Sequence, residues 1–231
     1  MSFKLSREIF TDAAIAFDLD GTLVDTAPDL VRALNAVILP RGLDPVQTSD
    51  VRAMVGRGAR ALIERSYSRQ GRALDEADAV TQVAEFIEVY KADVARDSRL
   101  FPQVVETLEA LRSAGASLSV CTNKPSELSD LLLDAVGITG FFDRVIGPER
   151  TTAKKPAADH VFTALGRRDG RLGMVGDSAP DVDAARAAGV PSVVLSYGYS
   201  EQPASSLGAD RLIHEFGNVP SALAEIWRGG A

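Results

Sequence analysis

Residues 17–26 read Phe17-Asp18-Leu19-Asp20-Gly21-Thr22-Leu23-Val24-Asp25-Thr26. What precedes them decides the fold. Residues 13–17 form a short apolar run, too short for a helix and closed by an aspartate, which reads as a buried strand. Asp18 and Asp20 then lie just past its end. Side chains two apart on an extended segment point the same way, and two adjacent carboxylates repel unless a cation or a shared proton intervenes. Gly21 permits a turn and Thr22 adds a hydroxyl. Read alone, the stretch is also compatible with an ordinary acidic turn, because Asp-Gly is common in turns.

Working outward, similar apolar runs occur at residues 118–121, 144–146, 172–175 and 192–195. Their apolarity is continuous rather than alternating, which predicts burial on both faces, as in a parallel sheet. Helical patterns lie between them at residues 104–113, 126–136, 157–165 and 179–188, each closed by or just before a glycine (Gly115, Gly137, Gly166, Gly189). This alternation predicts an α/β fold with a doubly wound parallel sheet and right-handed crossovers. Residues 25–99 break the rhythm. They show no strand run and three helical stretches, at 28–39, 59–68 and 74–96. The expected organisation is a core of residues 1–24 plus 100–231 with a helical insert at 25–99. The alternative is that these helices pad one face of the sheet.

Three further polar clusters follow strand runs or precede helices. Gly176-Asp177-Ser178-Ala179-Pro180-Asp181 follows the run at 172–175. Carboxylates from two strand ends make a hard, oxygen-rich site suited to Mg²⁺, while Asp177 or Ser178 also suits a helix cap. Thr122-Asn123-Lys124 leads toward a helix start, an arrangement that binds anions or simply caps a helix. Lys154-Lys155-Pro156 reads alone as a solvated basic pair, but one lysine aimed into an acidic, phosphate-binding cleft would neutralise charge there. In a doubly wound sheet these strand ends share one edge, where ligands bind. Cys121 ends an apolar run and reads as core packing.

Bulk properties narrow the function classes. The chain has 231 residues and a formal net charge of −7, with a pI of about 4.9. That argues against a general nucleic-acid binder, which needs a basic face, yet allows a small anionic substrate. A single cysteine permits no intrachain disulfide. No apolar run reaches the roughly 18 residues needed to span a bilayer, and the first residues lack the apolar region of a signal peptide. The expectation is a cytoplasmic monomer or homodimer with no membrane or nucleic-acid partner.

The ordered set Asp18-Leu19-Asp20-Gly21-Thr22, Thr122, Lys155 and Asp177 with Asp181 resembles the four motifs of the haloacid dehalogenase superfamily. Local text is similar to its bacterial phosphoglycolate phosphatase group: residues 17–26, Val55-Gly56-Arg57-Gly58-Ala59, Thr122-Asn123-Lys124-Pro125 and residues 176–189. Where that group often has Pro-Gly, this chain has Pro102-Gln103. The resemblance implies a Rossmann-like core with an inserted helical cap, and a Mg²⁺-dependent hydrolysis of a small phosphate monoester such as 2-phosphoglycolate. It implies Asp18 as nucleophile and Asp20 as acid and base. Thr122, Asn123 and Lys155 would hold the phosphoryl group. The metal ligands would be the Asp18 carboxylate, the Asp20 carbonyl, Asp177 and Asp181. Gly21 belongs to the first motif, and Arg57 and Arg60 are the candidate readers of a substrate carboxylate. The alternatives are a phosphosugar mutase, a broader sugar-phosphate or pyrophosphate phosphatase, and a signalling module switched by aspartyl phosphorylation.

Overall fold

The computed structural model describes residues 7–52, 56 and 58–229. Arg57 lies outside them. In chain order the first elements are α1 (Arg7–Phe10), β1 (Ala14–Phe17), β2 (Val24–Asp25), α2 (Ala27–Ile38), α3 (Thr48–Arg52), α4 (Ala59–Arg69) and α5 (Glu76–Ala92). Next come β3 (Arg99–Leu100), α6 (Val104–Ser113), β4 (Ser117–Cys121), α7 (Ser126–Ala135), β5 (Arg144–Ile146) and α8 (Ala158–Leu165). The chain finishes with β6 (Leu172–Gly176), α9 (Ala179–Ala188), β7 (Ser192–Leu195), β8 (Arg211–Ile213) and α10 (Val219–Gly229).

Six strands form one parallel sheet in the order β5-β4-β1-β6-β7-β8. The fold is thus the expected α/β class. The chain builds outward from β1 through β4 to β5, then returns to the other side of β1 with β6. Strand order therefore reverses at β1, where open α/β sheets bind ligands. Register fixes what meets there: Phe17 pairs with Val120 on one side and Val175 on the other. Asp18 follows one residue beyond this level, and Thr122 and Asp177 two residues beyond it, so all three emerge at the same edge. Ile15, Phe17, Leu118, Val120 and Val175 are buried in the cluster that anchors this edge. A lateral shift of any of these strands would expose that cluster.

Six elements have no counterpart in the sequence reading: helices α1, α3 and α10, and strands β2, β3 and β8. β8 carries only one buried residue, Ile213, so no apolar run marks it. The pair β2 and β3 is antiparallel, two residues long on each side, below the length at which periodicity is visible. Gln103, in the departure noted above, adopts φ 66°, a left-handed conformation that suits glycine better.

Helices α2, α4 and α5 pack on one another around Leu34, Ile38, Ile63 and Tyr90. The same cluster takes in Leu128 of α7 and Tyr199, beyond β7, so the helical block sits over the active edge of the sheet. Asp75 caps α5 by accepting from the Asp78 N–H at 2.8 Å. The chain enters the block through β2 and leaves through β3. Buried Asp29 secures the exit, accepting from Asp97 N–H at 3.0 Å, Ser98 N–H at 2.8 Å and Ser98 Oγ at 2.7 Å.

Candidate active site

Asp18 is buried at the end of β1, with Lys155 Nζ 2.8 Å from its Oδ1. No other donor among the described residues serves that oxygen. Burial pushes its pKa up to about 7, Lys155 opposes this, and the nearby charges of Asp181 and Asp20 add to it. Lys155 Nζ also donates to Asp181 Oδ1 at 2.6 Å. Burial works against the Lys155 charge, but Asp18 and Asp181 outweigh it and its pKa is raised.

Asp177 accepts from Thr22 Oγ1 at 2.6 Å and from the Tyr199 N–H at 2.5 Å. Its pKa is raised by burial first, then by Asp181 and Asp18. Asp181 has a second duty. Its Oδ2 accepts from Asp177 N–H at 3.2 Å, Ser178 N–H at 3.0 Å and Ser178 Oγ at 2.8 Å. Ser178 and Asp181 form a capping box at the start of α9. Capping and site chemistry thus coexist in one segment.

Oxygens of Asp18, Asp177 and Asp181 lie within 4.8 Å of one another, all buried. One lysine cannot balance three buried carboxylates, and burying unpaired charge is costly. A hard divalent cation suits this donor set, and Asp18 Oδ1 has acceptor capacity left for one. The residues therefore fit a metal of the Mg²⁺ type.

Asp20 stands apart from that cluster. Its Oδ1 accepts from Thr26 Oγ1 at 2.7 Å. Lys124 Nζ lies 3.1 Å from Oδ1 and 3.3 Å from Oδ2, and donates to Tyr90 Oη at 2.9 Å. Burial disfavours the Lys124 charge, yet Asp20 and Tyr90 hold its pKa above the ordinary value. Gly21 turns the chain just after Asp20 at φ 88°. A Cβ there would sit 2.6 Å from Asp177 Oδ2 and 2.9 Å from the Tyr199 ring, so both backbone and space require glycine.

Thr122 is buried beyond β4 and its Oγ1 accepts from the Lys124 N–H at 3.1 Å. The Asn123 N–H meets no backbone acceptor among the described residues. Its side chain bridges two loops, donating to Gly56 O at 3.0 Å and Lys155 O at 3.2 Å. His160 Nδ1 accepts from the Lys155 N–H at 2.9 Å while Nε2 faces Ile146 O at 3.0 Å. That pattern requires a neutral ring protonated on Nε2, and burial lowers its pKa to about 4. The Cys121 thiol is pushed up to about 12 by burial, as expected of core packing.

A cavity partly open to solvent lies between the sheet edge and the helical block. Asp18, Asp20, Thr122, Asn123 and Lys124 form its floor, with Phe86 and Tyr90 of α5 above. Three contributors escaped the sequence reading. Lys124 stood inside the quoted Thr122–Pro125 text, Thr26 inside residues 17–26, and Tyr90 within an unremarkable helix. Arg60, another candidate reader of substrate, is instead exposed and paired with Glu64 and Glu76.

The chain matches the sequence model of the haloacid dehalogenase-like hydrolases over residues 15–195. The phosphoglycolate phosphatase of Caulobacter vibrioides is 53% identical over 217 residues, spanning 93% of this chain and 92% of its own. That of Agrobacterium fabrum is 42% identical over 212 residues, spanning 90% and 91%. The crystal structure of a predicted phosphoglycolate phosphatase from Haemophilus somnus superposes with a TM-score of 0.82 at 31% identity, over 96% of this chain and 98% of that one. CbbY from Rhodobacter sphaeroides, solved in complex with phosphate, gives 0.75 at 25% identity, over 92% and 99%. The chain belongs to the haloacid dehalogenase-like hydrolase family. Within it, the chain is a phosphoric monoester hydrolase of the phosphoglycolate phosphatase-like kind. Among the described residues no helix is long and apolar enough to cross a membrane.

Proposed function

We propose that the chain hydrolyses 2-phosphoglycolate to glycolate and phosphate through a phosphorylated Asp18. The observation that carries this reading is the buried Asp18 carboxylate, held by Lys155 beside two further carboxylates and facing the cavity that also exposes Asp20. An Asp18 oxygen attacks phosphorus as the ester P–O bond breaks, and Asp20 gives a proton to the leaving oxygen. Asp20 then takes a proton from water, whose oxygen attacks phosphorus and breaks the Asp18–phosphate bond. Thr122 Oγ1, the Asn123 N–H and Lys155 Nζ hold phosphoryl oxygens.

Asp18, Asp177, Asp181 and the Asp20 carbonyl would hold Mg²⁺. When bound, the ion screens the anionic nucleophile from the anionic phosphate and stabilises transition-state charge. Residues 25–99 act as a cap over a core of residues 1–24 plus 100–231, excluding bulk water from the cavity. Arg57 has no described structure to support a role.

The test is phosphate release, with Mg²⁺, from 2-phosphoglycolate, hexose phosphates, nucleotides and pyrophosphate. The expected result is a kcat/KM highest for 2-phosphoglycolate. A hexose phosphate or pyrophosphate as best substrate would replace the substrate assignment and leave the Asp18 chemistry standing.

A further inference from the structure

Lys124 is a buried ammonium on the cavity wall, with only 5% of its side chain exposed. Among the described residues it is the one cation lining that cavity. Lys155 serves Asp18 and Asp181, so among the described residues Lys124 is the positive group available to the leaving-group side.

Its hold on Asp20 is shared. Asp20 Oδ1 already accepts from Thr26 Oγ1, and the two Lys124 contacts, at 3.1 and 3.3 Å, are longer than the 2.6 Å contact Lys155 makes with Asp181. When Asp20 turns to the leaving oxygen, Lys124 needs a second negative partner, because a buried unpaired ammonium is costly. Tyr90 strengthens the point. Its hydroxyl accepts from Lys124 at 2.9 Å, and its own proton has no acceptor among the described residues. A buried O–H and a buried ammonium, side by side and facing a cavity, form a two-donor anion receptor. Phe86, stacked on Tyr90 at an interplanar angle of 2°, fixes the ring. Among the described residues the rest of the upper wall is apolar, with Leu30, Leu62 and Ile87.

We propose that Lys124 and Tyr90 form the specificity site for a carboxylate on the leaving group, selecting phosphate esters whose carboxylate lies one carbon beyond the ester carbon. This rests on the assignment of Asp20 to the leaving oxygen. Lys124 touches Asp20, so a carboxylate held by Lys124 lies within a few ångströms of the bond that breaks, which limits the leaving group to a short hydroxy acid. The receptor is built from both sides of the cavity, Lys124 from the sheet edge and Tyr90 from α5. A bound carboxylate therefore joins the helical block to the catalytic edge.

The experiment compares kcat/KM for 2-phosphoglycolate and for propyl phosphate, of similar length but without the carboxylate, in the wild type, Lys124→Met and Tyr90→Phe. The wild type should prefer 2-phosphoglycolate by on the order of 100-fold. Lys124→Met should slow both esters, since Lys124 also braces Asp20, but with a loss on the order of 30-fold greater for 2-phosphoglycolate. Tyr90→Phe should show the same bias at roughly 5-fold. A Lys124 that only positions Asp20 predicts equal losses on both esters, and that outcome overturns the proposal. So does a wild type without preference. A binding measurement runs in parallel, with 3-phosphonopropionate against butylphosphonate as non-hydrolysable probes. The carboxylate-bearing probe should raise the wild-type Tm further, and the difference should vanish in Lys124→Met. If Lys124→Met does not fold, Tyr90→Phe carries both comparisons. Failure of the wild type to release phosphate from any ester would instead remove the phosphatase reading.

Discussion

The edge of the sheet and the helical block above it are built by different means. At the edge, each charged side chain is fixed by named partners: Asp181 by Lys155 and Ser178, Asp177 by Thr22 and the Tyr199 N–H, Lys155 through its backbone by His160. Strand register brings Asp18, Thr122 and Asp177 to the same edge before any side-chain contact forms. The block's polar pairs, such as Asp29 with Ser98 and Gln82 with Tyr67, do not line the cavity. Its helices share an apolar cluster, and among the described residues Tyr90 is the polar side chain it contributes to the cavity wall. Packing of that kind tolerates volume-conserving change, whereas a polar network does not. The edge is therefore where reaction chemistry is fixed, and the block is where discrimination can be adjusted.

Replacing Asp18 with Asn should produce the largest effect, a loss of turnover of about 10⁴-fold or more, with the thermal midpoint unchanged or raised because a buried charge is gone. Near-normal turnover would break the contrast, since the edge would no longer own the chemistry. Chelation of divalent metal should come next. Activity measured before and after adding excess chelator should fall to background and return with Mg²⁺, and persistence in chelator would remove the ion from the site. Third, Gly21→Ala should lower kcat by on the order of 100-fold and stability by about 1–3 kcal/mol, read from steady-state kinetics and denaturant melts. Its cause is the 2.6 Å approach to Asp177 Oδ2.

Within the block, Phe86→Leu should cost about 1–1.5 kcal/mol and shift KM by less than roughly 10-fold with kcat nearly kept. A collapse of kcat there would erase the distinction. The smallest effect is a pH dependence of stability. His160 titrates near 4 in the folded chain against 6.5 ordinarily, so the unfolded chain binds more protons between those values. Its contribution is present above about pH 6.5 and fades as pH falls toward 4. Between pH 7 and pH 6 the loss should be about 0.7 kcal/mol, and melts of His160→Gln should lack it.

Much of this was legible in the sequence for a physical reason. A central parallel strand is buried on both faces and leaves a continuous apolar run, so β1, β4, β6 and β7 announced themselves, and Asp18, Thr122 and Asp177 each stood directly after one. β8 did not, because Arg211 and Leu212 are exposed at the sheet border. The Lys124–Tyr90 pair was invisible for another reason. Its members are 34 positions apart, on a loop and a helix whose relative placement depends on tertiary packing alone. His160 gave no signal either, because a histidine in an apolar helix face reads as core until its partners are known.

The antiparallel pair of β2 and β3 has a consequence for how such a protein can be rebuilt. The chain leaves the sheet at Val24–Asp25 and returns at Arg99–Leu100, hydrogen-bonded neighbours. Everything between is topologically a side loop whose ends already meet. A genetic exchange of residues 26–98 for another helical segment would thus need no adjustment in any strand of the main sheet, and little closure entropy would oppose it. The block's share of substrate recognition could be transplanted as one continuous cassette, with Lys124 left on the sheet edge, provided the graft supplies a hydroxyl for Asp20 in place of Thr26 and an apolar underside to cover Leu128 and Tyr199.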